Sequence, residues 1–262
     1  MAEREYIKYE VRDGVAYITL NRPERRNAMN KQLRRQLLQA LKRSEEDENV
    51  HVIVLQGAEG NFCAGQDLEE LYEMTGLEIR RYHREQGTQL ITAYIREMTK
   101  IVIAAVDGYC VGGGCELIQG CDIVIATSRA RFGQPEVRVG LVPGGGATQR
   151  MPRQIGFRRA LELMLTGRLF PAEEAYQMGL VNYVVEPEKL QEKIEEVTSD
   201  LKAKSRIILA LIKRAVNASL ETPLSAGLEF ERELHFYTWL TEDRLEGIKA
   251  FLEKRKPIFK GK

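Results

Sequence analysis

The 262-residue chain reads as an α/β domain built on a largely parallel sheet and followed by a helical tail. Three observations point there. The runs Val52-Ile53-Val54-Leu55 and Ile101 to Val106 are short and continuously apolar, as in strands buried on both faces. Helical stretches lie between such runs, and strands alternating with helices build parallel sheets. After Tyr183-Val184-Val185 no further strand is evident, and Pro187 introduces helical segments only.

In chain order, Val15-Ala16-Tyr17-Ile18-Thr19-Leu20 has the β-branched and aromatic content of a strand, and Asn21-Arg22-Pro23 ends it. Asn30 is placed to cap a helix whose apolar positions Leu33, Leu37 and Leu41 recur every four residues. The strand at Val52 completes a β-α-β unit. A polar helical stretch from about Leu68 to Met98 precedes the strand Ile101 to Val106. A helix then opens at the Gly112 turn, before the strand Ile123 to Ala126. The tail comprises a charged run from Glu188, a helix near Ile207 to Leu220, and helical sequence from Ala226 to Phe251. It ends in Lys254-Arg255-Lys256-Pro257-Ile258-Phe259-Lys260, which by composition alone is an ordinary solvated surface.

Composition narrows the function. Thirty-nine basic residues against thirty-eight acidic ones leave a net charge of +1, without the phosphate attraction of a nucleic-acid binder or an anionic-membrane habit. The N-terminus lacks the apolar centre of a signal peptide, and no stretch approaches the roughly 20 apolar residues of a membrane span, so a cytoplasmic protein is expected. The cysteines Cys63, Cys110, Cys115 and Cys121 form no CxxC pair and read as reduced thiols. His51, His83 and His235 stand far apart in no metal-binding spacing, so no metal is expected.

Two glycine-rich turns carry the chemistry. Val111-Gly112-Gly113-Gly114-Cys115-Glu116 leads from a buried strand into a helix, where bare backbone N–H groups favour an anion. It matches neither GxxxxGK[ST] nor GxGxxG, and a tight turn with close helix packing accounts equally well for the glycines. A second turn, Asn61-Phe62-Cys63-Ala64-Gly65-Gln66-Asp67, also leads towards a helix. Two such turns in neighbouring parallel units place backbone donors at one sheet edge, where a converging pair is an oxyanion hole. Glu116 lies in the first turn of its helix, and Glu136 follows a short strand in Phe132-Gly133-Gln134-Pro135-Glu136. A glutamate in a first helical turn is commonly a dipole-stabilising surface group, and position alone leaves that reading open. Two carboxylates facing one oxyanion hole can instead divide acid and base work.

At these residues the sequence resembles the enoyl-CoA hydratase/isomerase, or crotonase, superfamily over almost its whole length. The matching segments are Leu20-Asn21-Arg22-Pro23, Phe62 to Leu68, Ala104-Ala105-Val106-Asp107-Gly108, Gly112 to Leu117, Phe132 to Glu136, and Pro143-Gly144-Gly145-Gly146-Ala147-Thr148-Gln149-Arg150, with Glu246-Gly247 and Lys254-Arg255-Lys256 in the tail. The resemblance implies a right-handed spiral of ββα units over residues 1–190 and a helical trimerisation region over 191–262. It also implies an oxyanion hole from the amides of Gln66 and Gly113. Glu116 would deprotonate the attacking water, Glu136 would exchange the proton at the α carbon, and Gly144 would support the water and the adjacent carboxylates.

By the same resemblance, Arg25 or Arg26 and Ala28 would border the phosphates and pantetheine of coenzyme A. The Ala64 carbonyl would meet the adenine, and Gly112 belongs to the substrate-binding turn. Phe251 and Lys254 would reach the coenzyme A of a neighbouring subunit in a trimer or a hexamer of two trimers. No cofactor is implied beyond the coenzyme A of the substrate. The expected activity is hydration of 2-enoyl-CoA. The runner-up is an enoyl-CoA isomerase, including ring-modifying isomerases of phenylacetate breakdown, which the Cys63 to Leu68 segment and the Phe259-Lys260-Gly261-Lys262 ending also resemble. A non-catalytic acyl-CoA binder or RNA binder is a third reading, disfavoured for RNA by the near-neutral charge. Arg138 departs from the apolar residue that hydratases carry two positions after the second glutamate.

Overall fold

The computed structural model describes residues 4–262. Strands β1 (Ile7–Arg12) and β2 (Val15–Leu20) form an antiparallel hairpin across Asp13-Gly14, both with positive φ, as a two-residue turn of matching twist requires. Helix α1 (Lys31–Glu46) is capped by the Asn30 side chain, which accepts a hydrogen bond from the Leu33 amide at 2.8 Å. β3 (Val52–Gly57) follows. The stretch expected to be one helical run is three helices: α2 (Leu68–Tyr72), α3 (Gly76–Gln86) and α4 (Thr88–Glu97). A Thr75/Glu78 capping box starts α3, and Gly87 separates it from α4.

Then come β4 (Ile101–Val106), β5 (Tyr109–Val111), α5 (Gly113–Ile118), β6 (Ile123–Thr127) and β7 (Arg131–Gly133). They are followed by α6 (Ala147–Ile155), α7 (Phe157–Thr166), β8 (Leu169–Pro171), α8 (Ala172–Met178) and β9 (Tyr183–Val185). The tail holds α9 (Leu190–Lys202), α10 (Arg206–Ala218), α11 (Leu224–Thr238) and α12 (Glu242–Leu252). Among the described residues no helix is long and apolar enough to cross a membrane.

The main sheet has the order β1-β2-β3-β4-β6-β9, parallel from β2 onward. Both its faces are covered, which explains the continuously apolar strands. Ile18, Ile53, Leu55, Ala104 and Val124 face the larger core with Leu33, Leu37 and Leu41 of α1. Tyr17, Val54, Ile103 and Ile125 point the other way, against Ile194 and Val197 of α9. By its packing α9 therefore belongs with the sheet.

A second layer makes the spiral. Strands β5, β7 and β8 form a small sheet, extended by parallel bridges between Cys63 and Cys110 and between Met29 and Gln66. Each parallel strand of the main sheet from β2 to β6 is thus followed by a segment of the second layer: Met29 after β2, Cys63 to Gln66 after β3, β5 after β4 and β7 after β6. The glycine-rich turns lie where second-layer segments give way to helices.

Helix α10 is tied down by a buried cation. Lys213 Nζ donates to Asp122 Oδ2 at 2.8 Å, the Ile95 carbonyl at 2.7 Å and the Lys100 carbonyl at 3.0 Å. Asp122 Oδ2 also accepts from the Val102 amide at 2.8 Å, linking α10 to the starts of β4 and β6. Removing one partner leaves the other charge buried and uncompensated. Lys213→Met is expected to cost about 3–5 kcal/mol in denaturant unfolding, and the double variant Lys213→Met/Asp122→Asn to recover part of that loss.

Candidate active site

The two turns meet through positions that only glycine can fill. The Met29 amide donates to the Gly65 carbonyl at 2.8 Å and the Asp67 amide to the Met29 carbonyl at 3.1 Å. In a parallel bridge of this kind the intervening residue directs its own N–H to the opposite side, so the Gln66 amide faces away from Met29. Gly65 has φ +97°, and a Cβ there would stand 3.1 Å from the Val111 carbonyl and 3.3 Å from the Gly113 nitrogen. A Cβ on Gly114 would lie 2.4 Å from the Cys63 carbonyl oxygen. Gly113 opens α5, and its amide precedes any partner within the helix. Two amides without a partner among the described residues, those of Gln66 and Gly113, are thus brought to neighbouring loops, as an oxyanion hole requires.

Glu116 is buried in α5, with 2% of its surface exposed. Its Oε1 accepts from the Gly145 amide at 2.6 Å and the Ala147 amide at 3.2 Å, so the turn before α6 clamps one carboxylate oxygen. A Cβ on Gly145 would fall 2.2 Å from Glu116 Oε2. Arg150 steadies the clamp by donating from Nη1 to the Gly145 carbonyl at 3.2 Å and to Thr92 Oγ1 at 2.5 Å. Burial pushes the Glu116 carboxyl upward, against the amides of Ala147, Gly145 and Gly146 and the charge of Arg150.

Glu136 sits in the short 3₁₀ turn Pro135–Val139 after β7. Its Oε1 is 3.2 Å from where a Gly112 Cβ would stand, which places it at the mouth of the α5 turn. Burial, opposed by its own backbone amide and helped by the neighbouring Glu116 charge, pushes its carboxyl up to about 7. The Glu116 charge thus reaches Glu136, and burial raises both carboxyls.

The residues expected to border coenzyme A line an adjoining edge. The Ala64 amide donates to the Arg26 carbonyl at 3.0 Å, and the Ala28 amide to that of Arg25 at 3.0 Å. The Arg26 guanidinium lies 5.1 Å from the Tyr109 ring centroid. Arg25 makes a fork to Glu69 at 2.8 and 2.9 Å, so its charge is engaged rather than open. Phe251, 82% exposed, and Lys254 lie at the end of α12, and no bond among the described residues joins them to the catalytic turns.

The "Enoyl-CoA hydratase/isomerase" family description matches residues 10–262. The chain belongs to the enoyl-CoA hydratase/isomerase family. It is 41% identical to the mitochondrial enoyl-CoA hydratase of Pongo abelii, over 99% of this chain and 89% of that one. It is 39% identical to the short-chain-enoyl-CoA hydratase of Clostridium acetobutylicum, over 92% of both. The structure of enoyl-CoA hydratase from Bacillus anthracis superposes with a TM-score of 0.93 at 36% identity, covering 98% of this chain and 100% of that one. The crotonase fold expected from the sequence is therefore the fold of this chain.

Within that family frame the structure adds residues the sequence did not single out. Gly145 and Ala147, rather than Gly144, bond Glu116; a Cβ on Gly144 would instead stand 3.0 Å from Cε1 of His83 in α3. The run Gly144-Gly145-Gly146 was visible, but which amide faces Glu116 depends on how the loop enters α6. Thr88 is fully buried beside Gly113 and Gly145, and nothing in its helical context marks it.

Two outcomes follow from this geometry. Gly145→Ala displaces the Glu116 carboxylate and is expected to lower turnover by at least two orders of magnitude, on the scale of losing a positioned acid-base group, with the fold retained by circular dichroism. For Glu136, a carboxyl raised from 4.5 to about 7 contributes stability that is full below pH 4.5 and lost as pH rises through 7. Glu136→Gln escapes that loss. Its unfolding free energy relative to the parent is expected to rise between those pH values by on the order of 2 kcal/mol and then level off.

Proposed function

We propose that this chain is an enoyl-CoA hydratase, a hydro-lyase that adds water across the 2,3 double bond of 2-enoyl-CoA thioesters. The observation that carries the reading is the unequal pair of carboxyls beside two uncommitted amides. Glu116, its Oε1 held by the Gly145 and Ala147 amides, is placed to accept a proton from water. Glu136, near neutrality, is suited to hold the proton that the substrate needs.

In this reading the thioester carbonyl lies against the amides of Gln66 and Gly113. Glu116 takes a proton from water as its oxygen bonds to the β carbon. The displaced π electrons move onto the thioester oxygen as an enolate, where each amide contributes about 3 kcal/mol of stabilisation. Glu136 then protonates the α carbon and the carbonyl re-forms. One water is consumed, the net proton count is unchanged, and no group beyond coenzyme A is needed.

The similarity to proteins named as enoyl-CoA hydratases, and to the crotonyl-CoA hydratase of Syntrophomonas wolfei at 36% identity, supports water addition over double-bond migration. Arg26, Ala28, Ala64 and Gly112 would border the coenzyme A, with Arg25 released from Glu69. The exposure of Phe251 and the apolar surfaces of α10 to α12 are in keeping with a trimer, or two of them, in which Phe251 and Lys254 reach a neighbour's coenzyme A.

Mixing the protein with crotonyl-CoA is expected to abolish the conjugated-enone absorbance and yield a product heavier by one water. Glu116→Gln and Glu136→Gln are each expected to slow this by about 10²- to 10⁴-fold with coenzyme A binding intact. An isobaric product would mark an isomerase instead, and normal turnover in either variant would overturn the assigned roles.

A further inference from the structure

Glu136 has no arginine or lysine partner among the described residues, yet its carboxylate is not free to turn. Gln134, two residues earlier and fully buried, reaches it. The Gln134 side-chain nitrogen lies 3.1 Å from Glu136 Oε1 and 3.2 Å from Oε2, with its oxygen 3.2 Å from Gln119 Nε2. This assignment of the amide follows from its neighbours, since the reverse would set oxygen against carboxylate and nitrogen against nitrogen.

Gln119 decides the matter. It ends α5, is 4% exposed, and donates from Nε2 to the Cys115 carbonyl one turn back at 3.0 Å. That carbonyl only accepts, so the Gln119 nitrogen must face it, and the same nitrogen then faces Gln134. We propose that Gln119 is a positioning residue for the acid-base chemistry: its amide, anchored on Cys115, holds the Gln134 amide with its N–H group towards Glu136.

Packing does not explain this glutamine. Its Oε1 is buried without a partner among the described residues, an arrangement that weakens a core, and a methionine or leucine would fill the volume without the orphan oxygen. A purely structural role therefore predicts that an apolar substitute changes stability at most and leaves the titration of Glu136 in place. The relay predicts otherwise. Freed from Gln119, the Gln134 amide can turn its oxygen to Glu136, where it accepts from the protonated carboxyl and no longer stabilises the carboxylate. The other ionisable groups facing Glu136 are Glu116 and the buried thiol of Cys115, both from α5, and both remain in the variant.

The inference rests on Glu136 as the group that exchanges the α proton, and the test separates the two. Gln119→Met and Gln119→Leu are compared with the parent in melting temperature, KM and the pH profile of kcat/KM for hydration of crotonyl-CoA and dehydration of 3-hydroxybutyryl-CoA. Stability and KM are expected to hold. The limb set by Glu136, basic for hydration and acidic for dehydration, is expected to move up by about one pH unit, slowing dehydration below the limb about tenfold.

An infrared titration of the unreacted protein, with the Glu136 carboxyl band identified by its loss in Glu136→Gln, should show the same upward shift. An unmoved limb together with an unmoved band would overturn the relay. If the parent proved unable to hydrate crotonyl-CoA, the reaction reading would fall while the infrared titration still decided the relay.

Discussion

The close approach of the Cys63 to Gln66 turn and the start of α5 is the constraint on which the site depends. Backbone lies against backbone there: a Cβ on Gly114 would enter the Cys63 carbonyl, and one on Gly65 would press on Gly113 and Val111. The hydrogen bonds from the Val111 amide to the Cys63 carbonyl and from the Cys63 amide to the Tyr109 carbonyl, at 3.0 and 2.9 Å, hold the two segments in register. Because the contact is made by main chain, it cannot relax by a rotamer change, and the amides of Gln66 and Gly113 keep their aim. Such preorganised donors act without reorganising when charge develops.

The same contact sets the electrostatics. By fixing the axis of α5 it fixes Glu116 opposite the turn into α6, and amides from that turn grip one of its oxygens. Glu136 approaches from the second layer, in the turn after β7, the strand paired to β5, and meets the same helix start held by the Gln134 side chain rather than by backbone amides of a facing turn. Two carboxyls of identical chemistry thus differ by which backbone surrounds them. Their titration belongs to the pair, since each charge raises the other's cost.

Much of this was legible from residues. Asn30 with Leu33, Leu37 and Leu41 announced α1, the apolar runs announced the doubly covered strands, and the ordered glycine and glutamate segments brought the two turns together. What escaped had physical reasons. β1 alternates Ile7, Tyr9 and Val11 with Lys8, Glu10 and Arg12, the pattern of an antiparallel edge strand, and so lay outside a reading based on continuous apolar runs. The three-residue strands β5 and β8 are too short for periodicity to register, although with β7, the short strand expected before Glu136, they form the layer that carries it. The break at Thr75 was written in a Thr-x-x-Glu box, but it sits inside an uninterrupted polar stretch that masks it.

The buried polar atoms tell a related story. Arg34 Nε, His51 Nδ1, the Tyr82 hydroxyl, Thr88 Oγ1, Gln119 Oε1 and Arg244 Nε lack partners among the described residues, at a cost of about 1–3 kcal/mol for each such group. None lies in the strands of the main sheet, where packing rules are obeyed throughout. Thr88 stands beside Gly113 and Gly145, Gln119 beside Gln134, and Arg34 donates from Nη1 to the Met29 carbonyl, next to the Gln66 bridge, with Tyr82 stacked beneath its guanidinium. A chain arranged only for stability would fill these places with hydrocarbon. Two of the six, His51 and Arg244, lie elsewhere, but the other four surround the two glycine turns and the two glutamates, where residues answer to more than packing.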